Sequence, residues 1–93
     1  MFILYTPESK HILQCVIPLD NGPWFEWSRE IHDTSIIPTL EDAVKLAREI
    51  QQVRANEDIF HYSVQVIPLS EKKIPAFERP AFEITAPQRV SMN

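Results

Sequence analysis

The chain has 93 residues, 44% of them hydrophobic and 24% charged, with a formal charge of −4. This is enough for one modest globular core and is not the composition of a disordered chain. No apolar run approaches the ~20 residues of a membrane helix or the core of a signal peptide, so no membrane association and a cytoplasmic location are expected. The single cysteine, Cys15, rules out an internal disulfide and a multi-cysteine metal knuckle. One glycine against eight prolines removes the Gly-rich phosphate loops of nucleotide enzymes, which need several glycines where backbone approaches phosphate.

Residues 2–6 (Phe-Ile-Leu-Tyr-Thr) and 11–17 (His-Ile-Leu-Gln-Cys-Val-Ile) read as strands joined by a Pro-containing turn at residues 6–10. Both carry apolar residues on each face, the pattern of central strands covered on both sides. Asp20-Asn21-Gly22 supplies hairpin chemistry. A third strand is expected over 24–32, at a sheet edge. Phe25, Trp27, Arg29 and Ile31 would share one face, and Trp24, Glu26, Ser28, Glu30 and His32 the other. Trp24 is the misfit, an indole on the polar side beside Pro23.

The clearest element is a helix over 40–55. Thr39 is a good N-cap, with Asp42 three residues on as an acidic capping-box partner. Leu40, Ala43, Val44, Leu46, Ala47, Ile50 and Val53 fall within one half-circle. Glu41–Lys45 has the favourable i,i+4 order, worth roughly 0.2–0.5 kcal/mol, and Asn56 suits a left-handed C-cap. Phe60, Tyr62, Val64 and Val66 then alternate with polar residues as a fourth strand ending at Pro68.

The expected fold is therefore α+β: a small β-β-β-α-β domain over 1–69, with a mostly antiparallel four-stranded sheet and one helix on one face. Counting directions makes the fourth strand parallel to the first. A right-handed crossover beside the first strand predicts sheet order 4-1-2-3, with pairing to the third strand as the alternative.

Residues 70–93 read as an extended Pro-rich C-terminal arm. Four of the eight prolines lie in 68–93, too close together for a helix or a central strand. The arm contains a tandem repeat, Pro75-Ala76-Phe77-Glu78 and Pro80-Ala81-Phe82-Glu83. Residues 1–58 carry a net −5 and residues 59–93 a net +1, so a mildly basic arm follows an acidic body.

Catalytic and metal constellations are thin. His11 and Cys15 would share a strand face but stand about 13 Å apart along it. His11, His32 and His61 lie on three elements with no ligand spacing, and Glu26 and Glu30 read as edge-protecting acids. No cofactor and no metal are expected. Lys72, Lys73, Arg79 and Arg89 around Phe77 and Phe82 form a weak nucleic-acid pattern, which Glu71, Glu78, Glu83 and the acidic body disfavour.

Short Pro-Ala-Phe-Glu units in extended conformation suit docking in a groove or on a sheet edge, with large aromatics as anchors. The residues expected to bind a partner are Trp24, Phe77, Glu78, Arg79 and Phe82. The run from Trp27 through Thr39–Ala43 to Tyr62–Ile67 resembles the strand, strand, tryptophan, helix, strand order of many small proteins of bacteria and their phages. That resemblance covers residues 2–69, implies the fold and carries no catalytic residue.

The function expected is a non-enzymatic interaction module. It would bind a protein partner, or a second copy as a homodimer, through a sheet face left open at Tyr5 and Ile12 and through the arm, which either folds over its own sheet and buries Phe77 and Phe82 or reaches the partner. Two alternatives stand beside it. One is a phage- or mobile-element-encoded inhibitor that meets a nucleic-acid-handling protein through its acidic surface. The other is a small enzyme with a site shared across a dimer.

Overall fold

The computed structural model describes residues 1–56, 62–69 and 80–85. In chain order these form β1 (Phe2–Thr6), β2 (His11–Leu19), β3 (Gly22–Ser28), a 3₁₀ turn (Asp33–Ser35), α1 (Leu40–Asn56), β4 (Val64–Pro68) and β5 (Phe82–Ile84). One antiparallel sheet of order β3-β2-β1-β4-β5 carries α1 on one face. This is the expected α+β class with the expected 4-1-2-3 core order, extended by a fifth strand. No helix of the described residues is long and apolar enough to cross a membrane.

Alternation along the central strands builds two apolar layers. Leu4, Leu13, Val64 and Val66 face α1 and pack against Ala43, Ala47 and Ile50, with Phe25, Trp27 and Phe82 at the margin. The two alanines let the helix sit close to the sheet, and Thr39 caps it by accepting the Asp42 amide at 3.2 Å. Asn56 is the last helical residue, not a left-handed cap beyond the helix. On the other face Ile3, Ile12 and Ile67 are buried, with Tyr5 and Leu69 packed against them. The open sheet face expected at Tyr5 and Ile12 is therefore not open there.

The direction of the fourth strand differs from the expectation. β4 runs antiparallel to β1, with Ile3 opposite Ile67 and Leu4 opposite Val66. The reason is the segment before the helix. Phe2 and Ile37 exchange two backbone hydrogen bonds of 2.8 Å, so residues 29–39 carry the chain back to the start of β1. The helix then runs along β1 as far as Thr6, whose hydroxyl accepts from Arg54. β4 has only the return direction left, and no crossover is needed.

The third strand begins two residues earlier than expected and stops at Ser28. The Ser28 hydroxyl accepts the Glu30 amide at 3.1 Å, a local turn that competes with further ladder bonding. His32 contacts the same hydroxyl through Nε2 at 3.2 Å, and its amide donates to the Ser35 hydroxyl at 3.0 Å. At the far end Gly22 takes φ +119°, which a β-carbon would strain. β5 comes from the second Pro-Ala-Phe-Glu unit: Val66 pairs with Phe82 and Val64 with Ile84. Pro80 stands just before this edge strand, where its missing N–H costs no ladder bond.

Candidate functional site

The β2–β3 hairpin places Trp24. β2 pairs with β3 from Ile12–Ser28 out to Leu19–Gly22, with one register shift between Leu13 and Cys15. Gln14 is the extra residue, a β-bulge on β2. It re-phases everything beyond it: Leu13 faces α1 with Trp27, whereas Cys15, Ile17 and Leu19 face the opposite side with Glu26 and Trp24. Without the bulge, His11 and Cys15 would share a face as expected from the sequence. With it they lie on opposite faces of the sheet, so the one Cys–His pair close in sequence cannot act together.

Beyond the bulge the hairpin outruns the core. Trp24 is 55% exposed, Leu19 55% and Ile17 40%, on the face away from the helix. Val16 is also exposed, on the helix side opposite Phe25. Ile17 and Trp24 are direct cross-strand neighbours, so their side chains form one apolar surface. The Trp24 indole is held from the side: Nε1 donates to Glu26 Oε2 at 2.9 Å, two residues along the same strand face. Among the described residues β3 is the last strand on its side of the sheet.

The other expected contact residues are dispersed. Phe82 is half-buried on β5 at the margin of the helix-side core, with the Arg48 guanidinium 5.7 Å from its ring centroid. Part of that ring is thus used within the chain. Phe77, Glu78 and Arg79 lie outside the described residues, as does His61. Among the described residues no three His, Cys, Asp or Glu side chains gather where a metal ion could be held.

A second feature, absent from the sequence-based expectations, lies at the C-terminal end of α1. Arg54 lies one helical turn beyond Ile50, continuing the buried stripe Ala43, Ala47, Ile50. An arginine in that stripe is the signal that could have found it. Its guanidinium carbon sits 4.8 Å from the Trp27 ring centroid and 5.3 Å from that of Tyr62. Nη2 donates to Thr6 Oγ1 at 3.0 Å and Nη1 to the Ser63 carbonyl at 3.4 Å. Arg54, Trp27 and Tyr62, with Ser9 and His11, line an open cleft of about 350 Å³. Burial lowers the Arg54 pKa from its usual range, and the charges of Glu8 and Tyr62 only partly offset this.

Glu8 closes the cluster. Ser63 donates to it twice, from its amide and its hydroxyl, each at 2.7 Å. Burial pushes the Glu8 pKa up, but the two Ser63 bonds, its own backbone amide and the Arg54 charge together outweigh this and leave it below the usual glutamate value. A carboxylate whose folded pKa is depressed stabilises the fold above its unfolded pKa and loses that contribution as pH falls through the folded value. Thermal stability is therefore expected to fall as pH is lowered below the ordinary glutamate range, and Glu8→Gln should flatten that part of the curve. A Glu8→Gln profile parallel to the parent's in that range would show that Glu8 is not the group responsible.

The arrangement ties α1, β1, β3 and the lead into β4 together through one cation, while the hairpin tip stands apart with apolar side chains in water. Comparisons with protein-family models, with curated proteins and with solved structures return no match to this chain.

Proposed function

We propose that the chain is a non-enzymatic protein-interaction module that takes up an extended polypeptide strand along β3 and the hairpin tip. The supporting observation is Trp24, exposed on β3, the outermost strand on that side of the sheet among the described residues, with the exposed Ile17 opposite it and Leu19 beyond, both on β2. A free strand edge offers main-chain hydrogen bonds, and alternate side chains beside it supply specificity. Trp is the residue type most enriched among binding hot spots. Within this proposal the C-terminal arm, with Phe77, Glu78, Arg79 and Phe82, supplies a second contact. The module works in the cytoplasm, where a free Cys15 is at home.

The test uses the full chain and a displayed library of random linear peptides. Enriched peptides should be extended and rich in β-branched and aromatic residues. Trp24→Ala should weaken them by about 30-fold, the loss that a 2 kcal/mol hot spot implies. Peptides that bind equally to the parent and Trp24→Ala, or no enrichment, would overturn the reading.

A further inference from the structure

We infer that the strand taken up along β3 is the β3 of a second copy of this chain, antiparallel, with Phe25 opposite Phe25 across a two-fold axis; this rests on the strand-uptake reading above.

The two prolines of the hairpin set the geometry. Pro18 and Pro23 stand opposite each other. Neither has an N–H, so theirs is the pair that exchanges no hydrogen bonds. Antiparallel pairs alternate, so Ile17–Trp24 and Cys15–Glu26 are the bonded pairs, and the main-chain groups of Trp24 and Glu26 point into the sheet. The bulge lies on β2, so alternation along β3 continues undisturbed. The outer edge therefore presents the Pro23 carbonyl and both main-chain groups of Phe25 and Trp27.

Two registers let that edge pair with itself through four main-chain bonds; one centred on Trp24 gives only the two from Phe25 N–H to the Pro23 carbonyls. Centred on Glu26, Phe25 and Trp27 would bond each other, but the two Glu26 carboxylates would stand directly opposite in a close, non-bonded pair, which like charges disfavour. Centred on Phe25, the two Phe25 residues exchange both bonds, and each Trp27 N–H reaches the other copy's Pro23 carbonyl. In this register Trp24 of one copy lies opposite Glu26 of the other, in the pair type whose side chains approach most closely.

Trp24 and Glu26 are already matched as donor and acceptor, since the indole N–H donates to the carboxylate at 2.9 Å within one chain. Across the axis each indole N–H can exchange its own chain's Glu26 for that of the other copy, and the exchange occurs twice, as an isologous interface requires. The exposed Trp24, Ile17 and Leu19 of the two copies would lie on one continuous sheet face, with the two Trp24 rings beside the seam, and the pairing covers an open edge.

Two full-length single-cysteine chains test the register, both carrying Cys15→Ser because Cys15 lies opposite Glu26 within the hairpin. One also carries Trp24→Cys and the other Glu26→Cys. Both positions are exposed, so folding should be retained. In a mixed dimer the two cysteines face each other while one Trp24–Glu26 pair survives. Under mild oxidation the mixture should give about tenfold more disulfide-linked dimer than either chain alone, because disulfides form only between closely apposed β-carbons. Sedimentation of the unaltered chain should show a concentration-dependent dimer.

A dimer whose cross-linking is equal in the mixture and in the single chains would overturn the Phe25-centred register. A chain that stays monomeric up to millimolar concentration would overturn self-pairing altogether. In both cases peptide binding that still depends on Trp24 would leave the strand-uptake reading standing.

Discussion

Replacing Arg54 with alanine is expected to lower unfolding free energy by about 2–4 kcal/mol, from two partly desolvated cation–π contacts and charge-assisted hydrogen bonds. The loss has three sources. Trp27 and Tyr62 lose the cation between them. The Thr6 hydroxyl, on a nearly inaccessible residue, loses its Arg54 donor, and so does the Ser63 carbonyl. Glu8 also loses the positive charge that helps hold its pKa down. Arg54→Lys should recover only part of the loss, because an ammonium lacks the planar fork that serves Thr6 and Ser63 while lying against two rings. Urea unfolding of the three chains measures this. A loss for Arg54→Ala within about 0.5 kcal/mol, the range of an ordinary surface substitution, would show that the cluster contributes little to stability.

The second large effect is expected in the layer beneath α1. Leu4 is fully buried at the centre of the sheet, between Val64, Val66 and the helix alanines. Leu4→Ala should cost about 2–5 kcal/mol, transfer and cavity together, while Ile3→Val on the other face should cost about 0.5–1.5 kcal/mol. Total stability of a small domain is about 5–15 kcal/mol, so Leu4→Ala alone could consume much of it. Leu19→Ala on the hairpin tip should stay within about 0.5 kcal/mol. Denaturant midpoints for the three variants would rank them. Equal effects of Leu4→Ala and Leu19→Ala would show that the hairpin tip is as well packed as the core.

These predictions differ in how far the sequence anticipates them. Leu4 and Ile50 are buried where strand alternation and helical periodicity place them, because burial of one face follows from local repeat. Arg54 follows the same helical stripe, but its chemistry depends on Trp27 and Tyr62, which no local window joins to it. Trp24 was picked out as an indole on a polar strand face, and the structure leaves it exposed. Its company differs from the expectation: the open apolar surface lies at Ile17 and Leu19, and Ile12 is buried.

What could be read from residues alone was local and periodic: the positions of β1 and β2 and their cover on both faces, the Thr39-capped helix, the turn before Gly22 and the edge position of the third strand. Each rests on groups within a few positions of one another. Three features depended on distant partners. The direction of β4 was set by Phe2 bonding Ile37, which returns the chain before the helix begins. The facing of Cys15, Ile17 and Leu19 was set by the Gln14 bulge, where one unpaired residue reverses every side chain that follows. The addition of Phe82–Ile84 as a fifth strand was set by the open edge of β4, which satisfies main-chain groups that a Pro-rich segment cannot pair within itself.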